Sequence, residues 1–210
     1  ANPGLGSATS SDNCGVVSVN NDAPSSFPLG TTTVTWTVLD VNGNTNTATQ
    51  DVIVVDDQDP MIVNLPADTT LDNSAGNCSG VASWTEPTVS DNCAGATISQ
   101  ISSIPNGDPF PVGTNYVVYE AIDGAGNTVV DSFAVTVIDA EAPSVVSLPA
   151  DITTGTDPGN CSAVVSWTAP TAGDNCPGAT IAQTSGLTSG STFPTGVSVI
   201  EYTATDAAGN

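Results

Sequence analysis

Three landmarks recur along this chain at a fixed interval, and that period constrains the fold more than any other feature. An F-P-x-G segment begins at Phe27, Phe110 and Phe193, evenly spaced at a period of about 83 residues. A D-x-x-G-N segment begins at Asp40, Asp123 and Asp206, with the same even spacing. A D-N-C triplet begins at Asp12, Asp91 and Asp174; the last two keep that spacing, whereas Asp12 lies four residues closer to its own F-P-x-G than the other two do. The deletion falls in a hairpin. Self-similarity at this period means one structural unit copied in tandem.

Within each copy, apolar residues alternate between F-P-x-G and D-x-x-G-N: Val34, Trp36 and Val38, then Val117, Tyr119 and Ala121, then Ile200, Tyr202 and Ala204. A period of two predicts a strand with one face on a core. A second strand follows the turn, with Val52 and Val54 in the first copy and Phe133, Val135 and Val137 in the second. Gly and Asn in D-x-x-G-N tolerate positive φ, so the two strands form an antiparallel hairpin. Upstream, Val81 to Trp84 and Val164 to Trp167 read as a further core strand, ended by Pro87 or Pro170. Seven or so short strands per repeat, with a Trp early and an aromatic late, describe an Ig-like sandwich. The expected fold is all-β: tandem Ig-like β-sandwich repeats arranged end to end.

Composition agrees and excludes several functions. The chain has no Lys, Arg or His against 22 Asp and Glu, a formal charge of -22. All but four of those acids are Asp, which suits turns, where Glu would suit helices. Without a cation there is no phosphate contact, so neither nucleic acid nor an anionic membrane surface is a partner. No apolar run is long enough for membrane insertion. The missing His, Lys and Arg also remove the commonest general base, Schiff-base chemistry and cationic anion holes. Paired carboxylates remain, but they sit in turns repeated from copy to copy, which argues for architecture. The chain is read as not an enzyme.

These residues resemble the hyalin repeat (HYR) family. The resemblance is carried by D-N-C, by F-P-x-G-T at Phe27 to Thr31, by the run Tyr202 to Asn210, and by the linkers Asp57 to Pro60 and Asp139 to Pro143. It covers nearly the whole chain. It implies Ig-like domains in extracellular adhesion or matrix proteins, bacterial surface proteins included. One departure is the lack of a Cys just after the G-N turn, in Thr45 to Thr49 and Thr128 to Ser132, so a second disulfide per repeat is not expected. The register gives a partial repeat at 1–57 lacking its first strands, a complete one at 58–140, and a partial one at 141–210 lacking its last strand. Either the chain is a window on a longer repeat polypeptide, or open sandwiches are completed by strands from neighbouring subunits in a filament. The window is favoured, because residues 1–11 are unlike a donor strand and Cys14 looks deprived of an upstream partner.

Of the five cysteines, Cys78 and Cys93 lie fifteen residues apart, as do Cys161 and Cys176, and parity favours those pairs. Pairing across repeats, Cys14 with Cys78 and Cys93 with Cys161, also satisfies parity but must bridge domains. A loop of that size closed by a disulfide stabilises by roughly 3 kcal/mol. Disulfides place the chain outside the cytoplasm, at the cell surface or beyond.

The sharpest functional expectation is Ca2+ at the repeat junctions. In an Ig-like sandwich the loops after strands B and F lie at the pole where the chain enters. At the first junction this brings together Asp56, Asp57 and Asp59 of the linker, Asp123 and Asn127 of the turn, and Glu86 and Asp91 of the other loop. At the second it brings together Asp139 and Glu141, Asp206 and Asn210, and Asp174. Calcium takes six to eight oxygen ligands in flexible geometry, which such a set can supply. Asp and Asn also favour turns with no metal present. Ser and Thr clusters such as Thr31 to Thr33, and the sequons at Asn77 and Asn160, make covalent glycans a further expectation. The expected role is a structural or adhesive segment of a surface stalk or fibre, its partners being neighbouring repeats or identical subunits. The alternative is an adhesin that itself binds a glycan or protein.

Overall fold

A computed structural model describes residues 4–210. The first repeat holds β1 (Val16–Asn21), β2 (Gly30–Asp40) and β3 (Thr45–Val54). The second holds β4 (Met61–Val63), β5 (Thr69–Asp72), β6 (Ser79–Val81), β7 (Thr88–Ser90), β8 (Thr97–Gln100), β9 (Pro109–Pro111), β10 (Gly113–Ile122) and β11 (Thr128–Ile138). The third holds β12 (Ser144–Val146), β13 (Ser162–Val164), β14 (Thr171–Gly173), β15 (Thr180–Ser185), β16 (Thr192–Pro194) and β17 (Glu201–Thr205). No helix occurs among the described residues, so the chain is all-β, and none is available to cross a membrane. Of the opening segment, which the sequence predicts not to be strand-like, residues 4–11 form no strand, and residues 1–3 lie outside the described residues.

Two compact units divide the chain. One takes the first repeat together with Ser90–Thr97 and Ala121–Val129 of the second; the other holds Ile62–Val89, Ile98–Glu120 and Val130–Asn210. The first unit contains the sheet β1-β2-β3. Its β2–β3 ladder runs unbroken from Gly30 opposite Val54 to Leu39 opposite Thr45, across the D-x-x-G-N turn. Phe27, Val34 and Val52 are buried there, with Trp36 and Val54 against them.

The complete repeat builds the largest core. Its four-stranded sheet has the order β5-β11-β10-β8, and the pairs β4-β7 and β6-β9 form the rest. The predicted alternation is realised: Val117, Tyr119 and Ala121 of β10 are 0%, 2% and 0% exposed, and Phe133, Val135 and Val137 of β11 are 3%, 0% and 1% exposed. Trp84 meets Phe133 edge-on with ring centroids 5.2 Å apart and lies 6.0 Å from Phe110. Its indole Nε1 donates to Tyr119 Oη at 2.8 Å, so the indole's polar edge is satisfied inside the apolar layer.

One strand departs from expectation. The sequence predicts a core strand over Val81 to Trp84, but the ladder stops at Val81, and Ala82 and Trp84 reach the core from irregular backbone. The Asn106 side chain takes the place of a strand partner: its Oδ1 accepts from Trp84 N at 3.1 Å and its Nδ2 donates to Trp84 O at 2.8 Å. In the third repeat the Ser189 hydroxyl does the same for Trp167, at 2.9 and 2.8 Å. Buried backbone groups need a partner, and a side chain suffices.

The cysteine expectation is corrected. Cys78 is bonded to Cys176, 98 residues away, while Cys93 and Cys161 are free thiols; neither the pair Cys78 with Cys93 nor Cys161 with Cys176 forms. The cause is that β6 and β7 pair with different strands, β9 and β4, so the segment between Cys78 and Cys93 does not fold back on itself.

Burial, and after it the hydrogen bond to Glu86, pushes the Tyr119 phenol from 10.0 up to about 12. A raised folded-state value means that folding favours the protonated phenol. That contribution is complete below pH 10 and is lost as pH climbs from 10 through 12. Spectrophotometric titration of the native protein should show one tyrosine ionising near pH 12, absent in Tyr119→Phe. A native titration without this late component contradicts the Trp84–Tyr119–Glu86 hydrogen-bond chain.

Candidate functional site

Each D-x-x-G-N turn is organised by its own aspartate. Asp123 Oδ1 accepts from the backbone N–H groups of Ala125, Gly126 and Asn127 at 2.9, 2.7 and 2.8 Å. Its Oδ2 accepts from the Asn127 side chain at 2.7 Å. Gly126 takes φ 96°, which a residue with a side chain rarely adopts, so Gly is needed at that position. The pattern repeats at Asp206, which accepts from Gly209 N, Asn210 N and Asn210 Nδ2 at 2.7, 2.8 and 2.9 Å. It repeats again at Asp40, which accepts from Asn42 N, Asn44 N and Asn44 Nδ2, each at 2.8 Å.

These bonds act on the charged carboxylate. At Asp123 and Asp206 burial is the largest single influence and raises the pKa, yet the bonds from the Asn side chain and the turn backbone together outweigh it and leave the pKa lowered. At Asp40 the Asn44 side chain is the main cause of the lowering.

The asparagine then reaches a second segment. Asn127 Nδ2 donates to the carbonyls of Asp56 and Gln58, at 3.3 and 3.1 Å. Asn210 Nδ2 donates to the carbonyls of Asp139 and Glu141, at 2.9 and 3.4 Å. Both sets span 71 and 69 residues, so the same clamp holds the linker entering each of the last two repeats.

The D-N-C triplets form a companion turn. Asp12, Asp91 and Asp174 each accept from the backbone N–H of the following Cys, at 2.7, 2.9 and 2.9 Å. Among the described residues two clusters result, Asp56 with Asp91 and Cys93, and Asp139 with Asp174 and Cys176, their ligand atoms within 4.8 Å of one another. In the first, a hydrogen bond to Asp56 is the main cause that raises the pKa of the Cys93 thiol, with burial and neighbouring carboxylates adding to it. In the second, Asp139 is 5% exposed and the buried Asp174 Oδ1 has no hydrogen-bond partner.

The acids expected at the first junction therefore separate. Asp56 and Asp91 come together. Asp57 and Asp59 are exposed and belong to neither cluster. Glu86 lies instead on Tyr119 and Asn106, as the acceptor of both. Asp123, whose carboxylate the turn consumes, and Asn127 serve as a backbone clamp. At the second junction Asp139 and Asp174 come together, Asp206 and Asn210 form the clamp, and Glu141 Oε2 accepts from Gly76 N at 2.7 Å.

Around the Cys78–Cys176 bond, within the second compact unit, three further contacts fasten the second repeat to the third. They are Gly76 N to Glu141, Asn175 Nδ2 to Asn77 O at 3.0 Å, and Ala140 N to Asn73 Oδ1 at 3.0 Å. Sequence reasoning missed Asn73, Asn175 and the donor role of Asn127 and Asn210. The signal for Asn127, Asn210 and Asn175 was present as an Asn fixed at the end of every D-x-x-G-N and in the middle of every D-N-C; Asn73 lies in neither motif.

The sequence pattern of the HYR domain matches residues 6–54, 55–137 and 138–210. Hyalin of Lytechinus variegatus is 34% identical over 189 residues, 88% of this chain and 35% of that protein. Hyalin of Strongylocentrotus purpuratus is 35% identical over 188 residues, again 88% of this chain and 16% of that protein. The chain thus spans about a third or less of these relatives. Among solved structures, extracellular cadherin domains 1–4 of protocadherin gamma B7 align over 91% of this chain and 63% of that one, with 14% identity and a TM-score of 0.40, too low to bear on the argument.

Asn127→Ala removes the clamp and leaves two linker carbonyls and Asp123 Oδ2 without the amide donor. It should lower unfolding free energy by about 1–3 kcal/mol, read from urea melts. Because the turn aspartates have lowered folded-state values, their contribution is present above pH 3.8 and disappears as the pH falls further. Asp123→Asn should flatten that acid dependence. An acid profile unchanged by the substitution contradicts the assignment.

Proposed function

Because the chain belongs to the HYR domain family, we propose that it is an extracellular, adhesion-type repeat protein whose work is to hold successive sandwiches in a fixed relation. The observation that carries this reading is the fastening of one repeat to the next by the Asn clamp and the Cys78–Cys176 disulfide. A chain with no cation cannot join repeats by ion pairs, and it uses amides and a covalent bond instead. The disulfide supports a location outside the cytoplasm. The chemistry left after the turns have consumed their carboxylates is that of a scaffold built on repeated turns. In a fibre or stalk the same bond would recur at every junction, from the Cys of G-N-C in one repeat to the Cys of D-N-C in the next.

Calcium belongs to this reading at two places. Asp139 with Asp174, and Asp56 with Asp91, are the acid pairs that would hold it, aided by linker carbonyls. The unpartnered Asp174 Oδ1 beside the buried Asp139 fits a hard cation, which favours carboxylate oxygens. Cys93, a thiol rather than an oxygen donor, makes the first pair the poorer one. When bound, the ion would neutralise the paired carboxylates and stiffen the junction.

Two measurements test the proposal. Trypsin has no site in this chain, so Asp-N digestion under non-reducing conditions is the way to map disulfides. A peptide joining Cys78 to Cys176 is expected, and one joining Cys78 to Cys93 overturns inter-repeat stapling. For calcium, melting temperature should rise at about 1 mM ion and return on chelation, and the rise should be lost in Asp139→Asn/Asp174→Asn. Identical melting with ion and with chelator removes calcium from the account.

A further inference from the structure

The two sulfurs of the Cys78–Cys176 disulfide stand in different surroundings. Cys176 is 8% exposed, while Cys78 is only half-buried and follows an exposed turn at 74–77. Cys176 also belongs to the cluster with Asp139 and Asp174, its Sγ and their carboxylate oxygens all within 4.8 Å of one another. Among the described residues no such cluster includes Cys78.

The D-N-C turn fixes that asymmetry. Asp174 Oδ2 accepts from Cys176 N at 2.9 Å, which ties the acid to the cysteine two residues later. Asp139 is itself 5% exposed, and Asp174 Oδ1 is buried, so water has little room to screen either carboxylate from the sulfur. The chain has no Lys, Arg or His to offset them.

A thiolate opens a disulfide by attacking one sulfur while the other leaves with the electron pair. Burial keeps reagents from Cys176, and two carboxylates beside it repel an approaching anion. Cys78 is the more accessible target. Attack there, however, sends the electron pair to Cys176, where it joins two carboxylates and three negative charges gather within 4.8 Å. Repulsion between them is stronger where water is scarce. The same two acids therefore direct attack to Cys78 and oppose its completion.

We propose that the staple is polarised: Cys78 is the sulfur to which an incoming thiol becomes attached, and Cys176 is the leaving sulfur, whose departure Asp139 and Asp174 oppose. The thiolate bonds to Cys78 Sγ, the Sγ–Sγ bond breaks, and Cys176 leaves with the electron pair and takes a proton from water. The thiol is oxidised into the mixed disulfide and Cys176 is reduced, so no further oxidant or reductant enters. The second repeat thereby gains a covalent site for a small thiol, and the acids make the staple slow to open. The hydrogen bonds of Gly76 to Glu141 and Ala140 to Asn73 involve neither cysteine and stay in place. This chemistry rests on the Cys78–Cys176 bond of the scaffold reading and needs no calcium.

The test uses the whole chain with Cys14, Cys93 and Cys161 alkylated, in chelator at low ionic strength. Mercaptoethanol opens the disulfide, acid stops the reaction early, and Asp-N peptides are mapped by mass. The adduct should lie on Cys78 and the new thiol on Cys176. Opening should be faster by about tenfold or more in Asp139→Asn/Asp174→Asn. It should be unchanged in Asp57→Asn/Asp59→Asn, which removes the same charge from exposed acids outside the cluster. An adduct on Cys176, or an acceleration that is absent from the first variant or shared by both, overturns the proposal. The adduct is located on the unsubstituted chain, so its position decides even where a variant fails to fold. If Cys78 and Cys176 are not joined at the outset, the stapled scaffold falls as well; if they are joined and the adduct lies on Cys176, only the polarity falls.

Discussion

Each linker is held against the repeat it enters by a side-chain amide engaged at two places at once. The Asn closing each of the last two D-x-x-G-N turns is oriented by the Asp that opens it and, thus fixed, donates to the linker carbonyls some seventy residues earlier. The carboxylate orients the amide, and the amide holds the linker. Without that linker the acids at the junction would have no reason to approach, and the Cys of the D-N-C turn would not reach the preceding repeat.

This arrangement also manages a charge of -22 with no internal cation. Carboxylates that cannot form ion pairs accept backbone and amide N–H groups instead, charge-assisted bonds that favour the ionised form. Asp40, Asp123 and Asp206 illustrate the result, with lowered pKa values although burial alone would raise them. Asp174 differs in that one oxygen accepts from Cys176 N while the other, though buried, has no partner. Acids thus differ in how completely the surrounding backbone satisfies them.

Much of the fold was legible in the sequence because two periods speak directly about backbone geometry. The even spacing of the F-P-x-G and D-x-x-G-N landmarks marks the repeated unit, and the alternation at Val117, Tyr119 and Ala121 marks a face on the core. The junctions were less legible. Asp123 reads as a ligand in sequence, since nothing local says that three turn amides will occupy it. Glu86 reads as a loop acid until Tyr119, 33 residues on, is seen to donate to it. Parity favours pairing the cysteines within a repeat, but pairing depends on whether β6 and β7 fold against each other, a question of sheet topology that spacing does not answer.

The most direct test of the clamp is an NMR measurement of scalar coupling through hydrogen bonds. Correlations should link the side-chain amide nitrogens of Asn127 and Asn210 to the carbonyl carbons of the linkers at Asp56 or Gln58 and at Asp139 or Glu141, with slowly exchanging amide protons. Averaged, rapidly exchanging amide signals without those correlations would contradict the account, because the linkers would then be free of the turns that are said to hold them.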